Sequence, residues 1–218
     1  MSKQFIIRSG SVAADSILPR FNDVFPSLIA PNKRKFLDSF GGPAVALTGR
    51  ALEIAPSGFS QVWSATSLLA VTGAGSLKPT STAAGDQRAL ISTDGSGANG
   101  EWGATFVAGT VGAFGLMVRA AAATQETYRV VFRQSGELSL QTINSGGGTA
   151  NTPATTPLVY ETGKTYTLRV TVQGSVIRAY VNGALMLTYS NALLAANSRA
   201  GVYFFGSDAQ CLEFVGGN

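Results

Sequence analysis

The feature that most constrains the fold is a succession of short β-type segments, each rich in β-branched or aromatic residues and many followed by turn residues. No segment keeps an apolar repeat of about 3.6 residues over several turns, so the sequence predicts at most one helical turn, at 191–198. Short strands at this density are typical of an antiparallel sandwich or barrel. The predicted strands are 44–54, 60–71, 88–93, 101–108, 113–120, 126–134, 137–144, 165–172, 175–181, 184–190 and 200–205.

The most regular stretch is YTLRVTVQGSVIRAYVNGALML, residues 166–187. Asn182-Gly183 predicts a hairpin, because a type I′ turn needs positive φ at both central positions. A two-residue loop sets Val181 opposite Ala184, and the register behind it pairs Tyr180 with Leu185, Ala179 with Met186 and Arg178 with Leu187. One predicted face is apolar and suits a core: Ile177, Ala179, Val181, Ala184 and Met186. The other mixes aromatic residues with an arginine: Val176, Arg178, Tyr180, Leu185, Leu187 and Tyr189.

This mixed face supplies the candidate binding surface. Arg119 lies at the end of the predicted strand 113–120 and could line the same surface as Arg178, Tyr180 and Tyr189. A surface of arginine and tyrosine can bind an acidic sugar or a partner protein. It can equally be the solvated outer face of a sheet, which is the default interpretation.

Trp63 and Trp102 have two interpretations. Tryptophan faces pack on sugar rings, but both residues lie in alternating strand patterns, which favours the core. The single cysteine, Cys211, excludes an intramolecular disulfide and is predicted to be a core thiol in the apolar run CLEFV.

The chain has no histidine, which excludes Ser-His and Cys-His nucleophiles, histidine bases and most zinc or iron sites. Glycoside hydrolysis needs only two carboxylates, but no predicted strand carries two at alternate positions. We therefore predict no catalytic residues, no enzymatic activity and no cofactor. The carboxylates of the predicted domain are scattered: Glu53, Asp86, Asp94, Glu101, Glu126, Glu137, Glu161, Asp208 and Glu213.

A weak calcium candidate lies in TDGSGANGE, residues 93–101. Asp94, Asn99 and Glu101 offer oxygen ligands in a glycine-rich loop. A hairpin loop of this composition needs no metal, and the loop lacks the aspartate density of an EF-hand, so no metal site is predicted.

The first 35 residues differ from the rest and are predicted to form an extended arm, with the domain at 36–218. Pro19, Pro26 and Pro31 forbid a long helix or a central strand there. We expect the arm to pack either on its own domain or on a neighbouring subunit in an oligomer. Its candidate anchors are Phe5, Phe21 and Phe25.

Charge and hydropathy exclude two classes of partner. The formal net charge is +4, without a broad basic region, so nucleic acid is not an expected partner. The start of the chain, MSKQFIIRSG, has too few consecutive apolar residues for a signal peptide. No run of apolar residues in the sequence approaches the roughly 20 of a membrane span. We expect neither export by a signal peptide nor membrane insertion.

The order of several motifs resembles a known family: FLDSFGG, GLMVRA, YRVVFRQSGELSLQTI, YTLRVTVQGSVIRAYVNG, and AGVYFF followed by CLEFV. Residues 36–215 look like a laminin-G-like jelly roll of the concanavalin A-like lectin/glucanase superfamily, in the form often found in bacteriophage virion proteins. The resemblance implies an all-β, antiparallel jelly-roll β-sandwich, here with an irregular N-terminal arm.

The resemblance implies a non-enzymatic structural protein of a tailed-phage virion. It would be assembled in the host cytoplasm as a homo-oligomer, anchored to other virion subunits by its arm, as a tail or baseplate appendage or a capsid decoration. The alternative is a receptor-recognition module that binds host-surface carbohydrate. A glycoside hydrolase is disfavoured, because the family's glucanases carry paired acidic residues on one strand and this chain does not.

Overall fold

A computed structural model describes residues 36–55, 63–66, 68–83, 85–92 and 99–217, without the side chain of Ser92. These residues form sixteen β-strands and no helix. The strands are β1 (Phe36–Asp38), β2 (Val45–Ala46), β3 (Ser64–Ala65), β4 (Leu69–Val71), β5 (Leu77–Pro79), β6 (Asp86–Ser92), β7 (Gly100–Val107), β8 (Ala113–Ala120), β9 (Thr127–Arg133), β10 (Glu137–Ile143), β11 (Thr149–Pro157), β12 (Thr165–Gln173), β13 (Val176–Val181), β14 (Ala184–Ser190), β15 (Arg199–Phe205) and β16 (Gln210–Gly217).

The strands form two antiparallel sheets. The nine-stranded sheet has the order β14-β13-β12-β7-β16-β5-β4-β2, with β1 also paired to β16. The seven-stranded sheet has the order β11-β10-β9-β8-β15-β6-β3. Neighbours in each sheet are often distant in sequence, as in a jelly roll, and the predicted all-β sandwich is confirmed. No helix in the described part of the chain is long and apolar enough to cross a membrane.

The core lies between the sheets and is rich in aromatic rings. Phe106 of the nine-stranded sheet stacks on Phe114 of the seven-stranded sheet, with ring centroids 4.8 Å apart. Trp63 and Trp102 are both buried and both contact Phe214, so their predicted core placement is confirmed. Cys211 is buried as predicted, and burial raises the pKa of its thiol well above the ordinary value.

A buried carboxylate fixes the start of the described chain to this core. Asp38 is fully buried and accepts hydrogen bonds from the Trp63 indole at 2.8 Å, the Phe40 backbone at 2.8 Å and the Arg50 guanidinium. A buried charge is tolerated only when it is paired and hydrogen-bonded. The hydrogen bond and the charge of Asp38 raise the pKa of Arg50, although partial burial opposes them.

The predicted hairpin is present, but its register changes after two pairs. Asn182 and Gly183 have φ of +49° and +83°, the signs that a type I′ turn requires, and Val181 pairs with Ala184. A β-bulge then leaves Met186 unpaired, so Ala179 faces Leu187. A one-residue shift moves later side chains to the opposite face. The predicted Ala179–Met186 and Arg178–Leu187 pairs, and the face assignment beyond them, are therefore wrong.

Two predicted strands, 44–54 and 60–71, are longer than the strands observed within them, and four observed strands are not among those predicted. Segment 44–54 contributes only β2 and isolated bridges, because the chain turns at Gly49 with φ of +82°. The missed strands are β1, β5, β11 and β16. The sequence TANTPATTP of β11 has no apolar alternation, and its prolines fit an edge strand, which β11 is.

The predicted arm, residues 1–35, lies outside the described residues, as do its anchors Phe5, Phe21 and Phe25.

Candidate functional site

The outer face of the seven-stranded sheet is the most distinctive surface of the domain. Strand β8 is buried at all eight positions, so both of its faces are shielded from solvent. Its neighbours β9 and β15, and β10 beyond β9, are buried at most positions. A second apolar cluster lies on this outer face, away from the main core: Leu90, Ala113, Met117, Ala120, Val131 and Tyr203.

This outer face is recessed into an open cleft of about 250 Å³, which we call the Asp86 cleft. Ala113 at the start of β8 and Gly115 within it contribute little side-chain bulk, and longer side chains surround them. The lining comes from six strands and one turn: Asp86, Ala113, Arg129, Val131, Arg133, Gln141, Gly147, Thr149, Tyr203 and Phe205.

A polar network joins three strands in this cleft. Arg129 Nη1 of β9 donates to Asp86 Oδ2 of β6 at 2.9 Å, and the Tyr203 hydroxyl of β15 donates to Asp86 Oδ1 at 2.7 Å. The Arg129 guanidinium also lies over the Tyr203 ring, 4.2 Å from its centroid. Each group is therefore held by the other two, and both oxygens of the carboxylate are oriented.

Burial sets the protonation state of this network. Tyr203 is 4% exposed, and burial is the main reason that its pKa is raised; Arg129 opposes the shift, and the hydrogen bond to Asp86 adds to it. The phenol therefore stays protonated at neutral pH and acts as a hydrogen-bond donor. The Asp86 side chain is 38% exposed, so its carboxylate still faces the cleft.

Further polar and aromatic groups border the network. Arg133 Nη1 donates to Glu137 Oε1 at 2.8 Å and to Ser139 Oγ at 2.7 Å, which fixes its guanidinium on the same face. Gln141 is 4% exposed and brings an amide to the wall. Phe205 is 51% exposed at the rim, so an aromatic ring faces solvent beside fixed donors and acceptors.

A second cleft of about 190 Å³ lies on the seven-stranded sheet towards its β3 edge. Arg88 pairs with Tyr203 across β6 and β15, which places both side chains on one face. The two clefts therefore adjoin. We call this second one the Arg88 cleft, and it is lined by Ser64, Ala65, Thr66, Arg88, Leu90, Ala121, Ala122, Thr124 and Arg199.

The predicted binding surface divides among three places. Arg178 and Tyr180 lie together on the outer face of the nine-stranded sheet, where Tyr180 packs against the Arg169 guanidinium at 3.9 Å. Tyr189 lies on the core side, edge-on to Tyr128 at 6.2 Å, because the Met186 bulge turned it inwards. Placing Tyr189 on the mixed face was therefore wrong.

Arg119 is also away from the predicted surface. It has φ of +50° at a register shift in β8, is 3% exposed, and donates to the carbonyls of Gly174 and Asn191. Burial lowers its pKa. The side chain thus spans from the seven-stranded sheet to turns of the nine-stranded sheet. Any binding role for Arg178 and Tyr180 stays a prediction.

The calcium candidates have other contacts. Asn99 Oδ1 accepts the Gly174 backbone N–H at 2.9 Å, and Glu101 pairs with Arg169 at 2.6 Å. Asp94 lies outside the described residues. In the ranges that the structure describes, no cluster of three or more acidic or cysteine side chains is arranged to hold a metal ion.

The Asp86 cleft was not found from the sequence, although one signal was present. In TYRVVFR, Arg129, Val131 and Arg133 alternate with apolar residues and therefore share one face of the strand. Two arginines on the same face of an otherwise buried strand mark a polar surface.

Several known proteins share this fold. The carbohydrate binding module CBM66 from Bacillus subtilis has 17% identity and a TM-score of 0.60, over 72% of this chain and 95% of that one. The Bacillus licheniformis β-glucanase has 9% identity and a TM-score of 0.55, over 81% and 99%. Both likenesses confirm the concanavalin A-like sandwich predicted from the motif order. No protein of curated function is significantly similar in sequence.

The family match covers most strands of both clefts. The sequence model described as "Glycosyl hydrolases family 32 C terminal" matches residues 69–207, which is more than half of the chain. That range includes every lining residue of the Asp86 cleft. The chain therefore belongs to the family of β-sandwich domains defined by the C-terminal part of family 32 glycosyl hydrolases.

Proposed function

We propose that this domain is a non-enzymatic carbohydrate-binding module whose site is the Asp86 cleft. The observation that carries the proposal is the fixed network of Asp86, Arg129 and Tyr203 in a recess beside an exposed aromatic ring. Sugar hydroxyls both donate and accept hydrogen bonds. A carboxylate next to a guanidinium offers an acceptor and a donor at the spacing of neighbouring hydroxyls.

The aromatic rim suits the same ligand. A sugar ring has one face of C–H groups, and Phe205 at 51% exposure offers a flat apolar surface at the mouth of the cleft. The fold likeness to a carbohydrate binding module from Bacillus subtilis supports this proposal.

The arrangement of carboxylates supports binding without hydrolysis. Glycosidases use two carboxylates that flank the scissile bond, one of them as a proton donor. Among the described residues that line the Asp86 cleft, Asp86 is the single carboxylate, and both of its oxygens already accept hydrogen bonds. Glu137, the nearby acid on the same sheet, is paired with Arg133.

A pair of matched variants tests the site. Tyr203→Phe removes the hydroxyl that orients Asp86, and Asp86→Asn removes the charge. Hydrogen bonds to charged groups contribute about 1.5–3 kcal/mol, so we expect Asp86→Asn to weaken glycan binding about tenfold or more. Binding is measured on a glycan array and by affinity electrophoresis, with reducing-end release assayed in parallel.

Tyr180→Phe is the control, because it removes a hydroxyl from the opposite sheet and should leave binding unchanged. The proposal fails if Tyr180→Phe or Arg178→Gln abolishes binding while Asp86→Asn retains it; the site is then the outer face of the nine-stranded sheet. Release of reducing ends that stops in Asp86→Asn or Glu137→Gln would make the domain a hydrolase.

A second candidate function concerns where the module acts. We propose that it faces outward on a tailed-phage virion, where it recognises host-surface glycan, and that residues 1–35 attach it to other virion subunits as an oligomer. The observation that favours attachment through the arm is its composition, where prolines separate Phe5, Phe21 and Phe25 and no periodic pattern pairs them. Burial of a phenylalanine contributes about 1.5–3 kcal/mol, so docking these three rings on a neighbouring subunit would contribute roughly 4.5–9 kcal/mol to attachment.

Removal of the arm tests the attachment. A protein that begins at Lys35 should keep β-type circular dichroism and glycan binding but sediment as a monomer and fail to join particles. If the shortened protein still forms the oligomer of the full chain, the arm is not the attachment.

A further inference from the structure

We infer that the Arg88 cleft is a subsite for an anionic substituent of the saccharide, a carboxylate or a sulfate, with Arg88 and Arg199 as its ligands. This inference deepens the proposed function and rests on it. The subsite would direct the module towards acidic polysaccharides, whereas the Asp86 cleft by itself takes neutral hydroxyls.

The geometry places two guanidinium groups in one small recess. Arg88 of β6 and Arg199 of β15 both line the cleft of about 190 Å³, on neighbouring antiparallel strands. The opposed pair between them is Leu90 and Gly201, so no side chain from position 201 fills the gap. Both arginines are half-buried, which reduces screening by solvent.

Neither guanidinium is neutralised within the described chain. Arg88 and Arg199 take part in none of the ion pairs between described residues. The cations of those pairs are Arg50, Arg129, Arg133, Lys164 and Arg169. The Arg88 backbone pairs with Thr66, but its side chain has no hydrogen-bond partner among the residues described here.

The described residues that line the Arg88 cleft add hydroxyl groups, and none of them is a carboxylate. Ser64, Thr66 and Thr124 bring hydroxyl groups to the cleft wall. Glu126, next to the lining residue Thr124, accepts from the Thr124 hydroxyl at 3.1 Å and pairs with neither arginine. Two like charges in one recess repel each other unless an anion lies between them, so the recess favours an anion over a neutral group.

The spacing links this subsite to the Asp86 cleft. Arg88 is two residues from Asp86 on the same face of β6, which is about 7 Å along a strand. One saccharide can therefore contact the Asp86 network through its hydroxyls and the two arginines through an acidic group on the same or the next ring.

Matched polymers with and without charge provide the test. The probes are polygalacturonate against its fully methyl-esterified form, and dextran sulfate against dextran, each cast in native gels for affinity electrophoresis. The full chain should be retarded more strongly by the charged member of at least one pair, and added NaCl should reduce that difference. The two pairs separate a carboxylate from a sulfate ligand.

The double variant Arg88→Gln/Arg199→Gln should weaken retardation by the charged polymer at least tenfold and leave retardation by the neutral polymer unchanged. Lys78→Gln/Lys164→Gln is the matched control. It also removes two positive charges, but from the side of the nine-stranded sheet. Each polymer should retard it as strongly as it retards the unaltered chain. Melting temperatures verify that both variants are folded.

Equal retardation of the unaltered chain by charged and uncharged polymers overturns this inference, as does equal loss in both double variants. These outcomes leave the proposed function intact, because binding of neutral polymer that is lost in Asp86→Asn tests that proposal separately. Loss of neutral binding in Arg88→Gln/Arg199→Gln also overturns the inference, since the arginines would then serve the Asp86 cleft itself.

Discussion

The two sheets treat their outer faces differently. In the nine-stranded sheet, β13 alternates buried and half-buried residues, so its outer side chains reach solvent. In the seven-stranded sheet, β8 is buried on both faces, and the outer face is recessed into two adjoining clefts. A regular alternation of buried and half-buried residues is therefore typical of the nine-stranded sheet, whose outer face is exposed to solvent. The side with the candidate site is the one whose central strands are buried on both faces.

The sheets also use their charged residues differently. On the nine-stranded sheet, Arg169 pairs with Glu101 and packs over the ring of Tyr180, so these three side chains contact one another. On the seven-stranded sheet, Arg88 and Arg199 have no acidic partner among the described residues, and Asp86 remains partly exposed within its network. Polar groups that are held in place but can still form further hydrogen bonds or ion pairs are typical of a binding surface.

The largest effect that separates the sheets is expected at Gly115 of β8. A Cβ atom at this position would lie 2.0 Å from the Val130 carbonyl oxygen of the adjacent strand, so the ladder must open. Overpacking of this kind costs up to about 3 kcal/mol. We expect Gly115→Ala to lower the melting temperature by about 10 °C in calorimetry.

Gly183→Ala in the hairpin of the nine-stranded sheet is the comparison. No atom lies within 4 Å of a Cβ there, and the strain comes only from φ of +83°. This costs about 1 kcal/mol. Equal melting temperatures for the two variants would show that β8 can shift freely and that the cleft floor is not tightly packed.

A smaller effect is expected at Asp208, which joins the two connections between the sheets. It lies between β15 and β16, and it accepts hydrogen bonds from the Thr110 backbone and hydroxyl and the Val111 backbone, between β7 and β8. Burial raises the pKa of Asp208, but these hydrogen bonds outweigh it, and the net pKa is below the ordinary 3.8. Asp208→Asn should cost about 1 kcal/mol at pH 7.

The pH dependence checks this interpretation. A carboxyl whose pKa is lowered by folding stabilises the protein above its unfolded pKa, and this contribution disappears as pH falls through the folded pKa. The difference in melting temperature between Asp208→Asn and the unaltered chain should therefore be constant from pH 7 to about 5 and shrink below about 4. A difference that persists undiminished at pH 2.5 would contradict a role for the charge.

Much of the fold could be predicted from the sequence, because local signals determine it. The Asn182-Gly183 turn, the strands from β7 to β10 and the burial of Trp63 and Trp102 follow from turn chemistry and alternation. The Met186 bulge could not be predicted, because its neighbours are all apolar and either register satisfies the pattern. That single residue moved Tyr189 from the predicted surface into the core.

The candidate site could not be predicted for a different reason. Asp86 and Tyr203 are 117 positions apart in sequence and meet only because β6 lies beside β15. Arg129 joins them across β8, so the site depends on the order of strands in the sheet. A hydrophobic pattern also cannot separate a face that packs on a core from a face that forms the floor of a cleft.

All lining residues of the Asp86 cleft except Gly147 stand on strands and not on loops. The central strands that carry them are buried on both faces, so their amide protons should be among the slowest in the domain to exchange with solvent. A ligand that enters the cleft meets side chains that are already ordered, and little conformational entropy is lost on binding. Association then needs no gating motion, and differences in affinity between glycans arise mainly in their dissociation rates.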